Sequence, residues 1–224
     1  MYEMDFSTLL KNYPMIIEGI LTTISVSLLA GILAFVLGSF FAYFRTSPLN
    51  IISKITSFIV LFIRNMPLLI LIYLFYKGLP SIHLVLSAYA CGILALGLYT
   101  GCYISDAIIS GINAVPKEHF QASQSLGMSR IKSFIYIIYP QATRYVIPIL
   151  GNQFMSLVKN SSLVSFIAVT DIFYVVYKGI SDTYRIYEYF ILAVVLYLFL
   201  TGFVLLLTKI LQKIYRIPSQ EVIV

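Results

Sequence analysis

The sequence predicts an all-α membrane protein that crosses the bilayer five times. Two observations carry this. Of the 224 residues, 60% are hydrophobic and only 11% charged, with a mean hydropathy of +0.93; a soluble domain carries about 25% charged residues. The apolar residues also gather into five long runs parted by polar or basic stretches. A chain so poor in charge cannot cover a soluble globule, which excludes soluble α/β and all-β enzyme scaffolds as well as disorder. At about 20 residues per spanning helix plus loops, the length holds five or six crossings. No repeat, low-complexity tract or composition shift marks a second unit, so residues 1–224 read as one membrane domain with its core over 15–212.

The first run, residues 16–44, stops at Arg45. It is too long for a signal-peptide core, follows an acidic start at Glu3 and Asp5, and lacks a small-x-small cleavage site, so it reads as a mature helix. The second, residues 51–76, is interrupted by Arg64-Asn65-Met66-Pro67. The third, residues 84–112, holds both cysteines, Cys91 and Cys102. On a helix rising about 1.5 Å per residue they lie roughly 16 Å apart, beyond the ~7 Å reach of a disulfide. They read as two small membrane-helix residues, not as a disulfide framework or a zinc site. A polar stretch, residues 113–144, follows. The fourth run, residues 145–177, is broken by Lys159-Asn160-Ser161-Ser162, and the fifth covers residues 187–211 ahead of a basic tail.

An odd number of crossings puts the termini on opposite sides. With the C-terminus inside, the inner basic residues are Arg45, Lys54, Lys117, Arg130, Lys132, Arg144, Lys209, Lys213 and Arg216; the outer ones are Lys11, Lys77, Lys178 and Arg185. Arg64 and Lys159 fall within spans. The positive-inside rule therefore predicts an extracytoplasmic N-terminus and a cytoplasmic C-terminus. The same distribution reads the net charge of +6 as orientation in a bilayer, with no nucleic-acid partner. The chain has no tryptophan, so its 18 tyrosines must supply the interfacial belt, with Tyr73, Tyr76, Tyr174, Tyr177, Tyr187 and Tyr189 at fitting positions.

Within the polar stretch, Pro116 suits the first turn of a helix, residues 117–126 form a short polar helix, and Gly127 suits its stop. Residues 131–139 then give an amphipathic segment ending at Pro140. A short helix held between two spans can take force from a soluble partner, or it can lie on the lipid surface. Physics leaves both open.

The loop runs Gln121-Ala122-Ser123, then three residues, Gly127, nine residues, and Ile137-Ile138-Tyr139-Pro140. That register resembles the E-A-A, G, I-x-L-P loop of permease subunits in binding-protein-dependent ABC importers, with Gln121 for Glu, Ser123 for Ala and Tyr139 for Leu. Other runs resemble the polar amino acid branch of that family. They are Gly19 with Thr23 in a G-x-x-x-T opening, Phe62-Ile63-Arg64-Asn65-Met66-Pro67-Leu68-Leu69, Asn152-Gln153-Phe154, and Leu157-Val158-Lys159-Asn160-Ser161-Ser162-Leu163-Val164. The resemblance spans residues 15–212.

The resemblance implies the type I ABC importer permease fold, with a cytoplasmic coupling helix between helices 3 and 4, in a bacterial inner membrane. It implies two permeases, this chain with itself or a sibling, above two ATPase subunits, fed by an extracytoplasmic amino-acid-binding protein. ATP and magnesium belong to the ATPases, and this chain binds no cofactor. Docking on the ATPase falls to Lys117, Glu118, Phe120, Gln121, Ala122, Ser123 and Leu126, with Gly127 ending the helix. The substrate-path candidates are Arg64, Asn65, Pro67, Asn152, Gln153, Lys159, Asn160, Ser161 and Ser162. Gln153 stands where cationic amino acid permeases commonly have glutamate, so a neutral or acidic polar amino acid (glutamine, glutamate, aspartate or cystine) is expected over a cationic one.

Charges inside a membrane are costly unless they face protein or water. Arg64 and Lys159 therefore have two readings: each pins carbonyls freed by a helix break, or each faces a path where broken helices hold a zwitterion. Asp106 reads as a structural partner for a basic residue at the cytoplasmic end, or as part of a gate. Asp171 is consistent with a helix start. His83 and His119 are isolated on opposite sides and make no metal site. A secondary carrier should show repeats and more spans. An intramembrane enzyme needs paired aspartates, a Ser/His dyad or HExxH. No Walker A run occurs, so ATP hydrolysis must come from a partner.

Overall fold

A computed structural model describes residues 4–215; Glu3 and Arg216, used above, lie outside the described residues. Among the described residues the regular structure is all helical. A short α1 (Ser7–Lys11) leads into α2 (Tyr13–Arg45). Next come α3 (Asn50–Asn65) and α4 (Leu68–Tyr73), which continues through a π turn (Leu74–Gly78) and a 3-10 turn (Leu79–Ile82). Then follow α5 (Ala88–Asn113), α6 (Lys117–Ser125), α7 (Arg130–Ser133), a π turn (Phe134–Ile138), α8 (Tyr139–Asn160) and a 3-10 helix (Ser161–Ile167). Last come α9 (Ile172–Thr183) and α10 (Ile186–Ile214). By length and composition α2, α5 and α10 can each cross a bilayer. Two further pairs are bent, by 105° between α3 and α4 and by 49° at the start of α9; counting each pair as one span brings the total among the described residues to five.

The bundle is built on α5. Of its most apolar stretch 56% is buried, against 6% for α10, so α5 is central and α10 peripheral. The cause is a line of small residues. α2 buries Gly19, Thr23, Val26, Ala30, Gly31, Ala34, Gly38 and Ala42, mostly one turn apart, and at its crossing with α5 Gly97 faces Leu33, Gly101 faces Ala34 and Gly38 faces Ile104. Apolar side chains gain nothing by leaving lipid, so close van der Waals packing must supply the association. A Cβ on Gly101 would stand 3.1 Å from the Ala34 carbonyl, so here the two backbones nearly touch.

The G-x-x-x-T opening has a structural cause. Gly19 admits α9, whose Val175 Cγ2 would lie 2.6 Å from any Cβ there. One turn on, buried Thr23 Oγ1 accepts the Ile172 amide at 3.1 Å. Asp171 caps α9 by accepting the Tyr174 amide at 2.9 Å, as expected of a helix start, and also accepts the Tyr197 hydroxyl at 3.2 Å. Thr23→Val keeps the volume but strands the Ile172 amide in the core, so the variant is expected to lose about 1–3 kcal/mol, read as a lowered unfolding temperature in detergent.

Five expectations need correction. Tyr189 is not an interfacial anchor. It is fully buried against Gly179, and its hydroxyl accepts from Asn12 Nδ2 at 2.7 Å, which ties α1 down together with the Asp5 amide bonded to Glu188 Oε1 at 2.9 Å. Pro116 is the residue before α6, not in its first turn, with extended ψ of 133°. The segment after α6 does not end at Pro140. The π turn widens the winding just before the proline, which has no N–H and whose ring crowds the preceding turn, and the chain runs on into α8. Lys159-Asn160-Ser161-Ser162 does end the α winding of the fourth run, as expected, but the helical course does not stop there. The hydroxyls of Ser161, Ser162 and Ser165 donate three residues back, at 2.8, 2.8 and 2.7 Å, where the winding tightens to 3-10. The chain turns only after Ala168, which is left-handed at φ 60°. Finally, Arg64 does not pin carbonyls freed by Pro67, as described below.

Candidate functional site

Three places hold the predicted residues. The first is α6. Pro116 precedes it, Glu118 lies in its first turn, and a Schellman cap closes it: Gly127 donates to the Gln124 carbonyl at 2.9 Å and Met128 to the Ser123 carbonyl at 3.2 Å. Gly127 has φ +81°, which a glycine adopts without strain. Phe120 packs into a small cluster with Val115, Ile138 and Ala142, and Ser123 is buried. His119 Nδ1 meets Gln141 Oε1 at 2.8 Å. These three anchors, of which only Phe120 and Ser123 were among the predicted docking residues, turn the helix so that Lys117, Glu118, Gln121, Ala122 and Leu126 face outward. The inner-facing role of Phe120 and Ser123 was legible in principle, since they stand three residues apart beside a polar face.

The second place is the α3–α4 bend. Met66 is extended, as the residue before a proline must be, and the chain turns there by 105°. An open groove of about 450 Å³ lies at the turn, lined by Phe58, Leu61, Phe62, Asn65, Met66 and Pro67. Asn65 donates from its side chain to the Leu61 carbonyl at 2.8 Å. Arg64 turns instead towards α5: its Nη1 bonds Asp106 Oδ2, and its guanidinium sits 4.7 Å over the Tyr103 ring. Asp106 is thus the partner of a basic residue, as expected, and of two: Arg45 Nη1 bonds its Oδ1 at 2.6 Å. The Tyr103 contact had no signal in the sequence.

The third place is α8. Its core face meets three helices: Phe154 against Gly31 of α2, Val146 against Gly111 of α5, and Gly151 against Thr208 of α10. The opposite face carries Asn152 and Lys159, both exposed, with half-buried Ser156 between them. At helical spacing these three form one polar stripe. Gln153 and Asn160 are half-buried beside it, and Ser161 is buried with its hydroxyl spent on the Val158 carbonyl. The second and third places touch: Tyr73 of α4 donates to the Phe166 carbonyl at 3.2 Å, and Leu71, Ile72, Val164 and Ile167 share one core.

Residues 34–217 match the family of binding-protein-dependent transport system inner membrane components. The chain belongs to that family. It is therefore a membrane-spanning permease, of a family of non-enzymatic channel subunits. The permease is 37% identical over 198 residues, 88% of this chain and 92% of the relative, to a probable glutamine ABC transporter permease protein of Bacillus subtilis. It is 26% identical over 219 residues, covering 90% and 87% of the two chains, to a glutamate/aspartate import permease protein of Escherichia coli. Among solved structures, an amino acid ABC transporter with histidines superposes on the permease with a TM-score of 0.88 at 30% identity, covering 95% of this chain and 99% of that one. The MetNI methionine ABC transporter, at 16% identity and a TM-score of 0.78 over 92% and 98% of the chains, shares the type I importer fold.

Proposed function

We propose that this permease forms half of the translocation path of an ATP-driven importer for a polar neutral or acidic amino acid. The observation that carries the reading is α6: a short capped helix anchored on its inner side by Phe120 and Ser123, with Gln121, Ala122 and Leu126 turned outward where a separate ATPase can seat. ATP and magnesium stay on that ATPase, and an extracytoplasmic binding protein delivers the substrate. Family membership gives no support to an ion-gradient carrier.

The orientation follows from charge. Arg45, Lys54, Lys117, Arg130, Lys132, Lys209 and Lys213 lie at helix ends on the α6 side of the bundle, so that side is cytoplasmic and the α1 side extracytoplasmic. The stripe Asn152–Ser156–Lys159 on α8 supports a path between two permeases, of self or sibling type. A lysine on the outside of a membrane helix needs water or another protein in front of it. The amides of Asn152 and Gln153 and the ammonium of Lys159 suit the polar groups and carboxylate of an amino acid. The named substrates of the relatives, glutamine and glutamate/aspartate, agree with the absence of an acidic residue at Gln153.

The test is isolation of the tagged chain in mild detergent with mass spectrometry of what copurifies, then a ligand screen of the captured binding protein with glutamine, glutamate, aspartate, cystine, arginine and histidine. An ATPase with Walker motifs is expected. Its absence even after cross-linking through α6 would sink the reading. Gln153→Ala is expected to lower uptake at limiting substrate by about tenfold, the loss of one or two hydrogen bonds, with the assembled complex intact. Unchanged uptake kinetics would remove Gln153 from the path.

A further inference from the structure

One carboxylate holds three helices together. Asp106 of α5 receives Arg45, the last residue of α2, and Arg64, in the last turn of α3, on its two oxygens. Both Nε atoms of these arginines are buried with no hydrogen-bond partner among the described residues, so the guanidinium groups depend on their Nη contacts. Arg45 has a second contact, with Ser105 Oγ at 3.0 Å, whereas Arg64 adds the Tyr103 ring beneath it. Tyr103 and Asp106 are three residues apart on α5, so they face the same way and grip the end of α3 as a pair. The other end of α3 is tied into the same cluster, because Ser53 Oγ donates to the Arg45 carbonyl at 2.6 Å.

What lies at each side of this clasp gives it a role. On one side, two residues beyond Arg64, is the Met66–Pro67 bend with its groove, where Asn65 and Pro67 are path candidates. On the other, two turns of α5 lead from Asp106 to Asn113 and then to α6. That junction is stiff: Ala114 and Val115 continue the helical bonding to Ser110 and Ile112 at 2.9 and 3.3 Å, and Val115 is buried against Phe120 and Ile138. A displacement of α6 therefore moves α5 as a body, and α5 holds the bend through the Asp106 carboxylate. Aliphatic contacts can slide; a carboxylate that takes a charged hydrogen bond on each oxygen, one from each arginine, ties its two partners at separate points. Packed elements with discrete arrangements carry motion in this way.

We propose that Asp106 is the positioning residue that passes the stroke of the ATPase from α6 to the α3–α4 bend. The inference rests on α6 being the ATPase-docking helix. Asp106 lies neither on the outward face of α6 nor among the path candidates.

The test uses the whole importer, this chain with its ATPase and binding protein, in proteoliposomes, reading substrate taken up per ATP hydrolysed. Asp106→Asn is expected to lower that ratio by about tenfold, a typical coupling loss, while ATP hydrolysis stays within about twofold. Asp106→Glu, which restores a carboxylate, should recover most of it. A residue that only stabilised the fold would change the amount of assembled complex and leave the ratio alone, so a wild-type ratio in Asp106→Asn overturns the proposal. If Asp106→Asn does not assemble, Arg64→Gln takes its place. It removes the ion pair that ties the end of α3 to Asp106 and leaves the Asp106–Arg45 pair, and a wild-type ratio there is equally fatal. Wild-type vesicles that take up nothing when given ATP would instead refute the importer reading itself.

Discussion

Gly38→Val is expected to leave little folded protein in the membrane and to lower the unfolding temperature of what remains by roughly 6–12 °C, taking about 3 kcal/mol as the loss. A Cβ at this position would stand 2.6 Å from Ile104 Cγ2, 2.7 Å from Ile104 Cβ and 2.9 Å from the Gly101 carbonyl oxygen. None of these can yield cheaply. Ile104 is fully buried, and the carbonyl belongs to the backbone of α5. α2 must therefore back away from α5, and the loss spreads along the crossing, because Gly101 also packs closely on Ala34. Overpacking of a tight core costs about 1–3 kcal/mol, and this site has no flexible neighbour to absorb it. Gly202→Ala is the control: nothing lies within 4 Å of a Cβ there, and alanine favours the helix by about 1 kcal/mol. Thermal unfolding by size-exclusion chromatography in detergent checks both. A wild-type midpoint for Gly38→Val would mean that α2 and α5 do not cross so closely.

That crossing also shows what the sequence made legible and what it did not. The five apolar runs are visible because apolarity over about 20 residues has one main cause, the thickness of the bilayer. The α3–α4 bend is visible because proline removes a donor and restricts the residue before it. The register of small residues on α2 stands in the sequence too, yet nothing there names α5 as its partner. The same gap separates Arg64 from Asp106, 42 residues apart: the expectation that Asp106 pairs with a base was sound, but which base depends on how the helices cross. Serines misled in the opposite direction. Ser161 and Ser162 look like a full break because they are polar in an apolar run, but their hydroxyls bond back to their own helix and the α winding only tightens to 3-10. Tyr189 misled for a related reason. An aromatic ring with a polar tip suits an interface, and it suits equally a buried slot opposite a glycine where Asn12 meets its hydroxyl.

Ala122→Glu should separate folding from transport. Ala122 sits on the exposed side of α6, next to buried Ser123, so a longer side chain there displaces nothing within this chain. The variant is expected to accumulate and unfold like the wild type. At a docking surface the same change puts an unpaired charge into a contact built around a methyl group, and burying a charge without a partner is costly. Uptake in vesicles holding the complete importer is therefore expected to fall by at least about tenfold, the effect of roughly 1.4 kcal/mol or more at the interface. Ala122→Ser, small and neutral, should keep most of it. The comparison distinguishes the two roles left open for a short helix between spans. If α6 merely lay on lipid, a glutamate at its outer face would sit in water or among headgroups, and transport would not change. If α6 seats in the ATPase, Ala122→Glu stops uptake although the permease remains folded, and a pull-down of the ATPase should weaken in parallel. Full uptake in Ala122→Glu vesicles, with normal ATPase capture, would remove α6 from the docking surface and with it the ground for treating Asp106 as a link in the stroke.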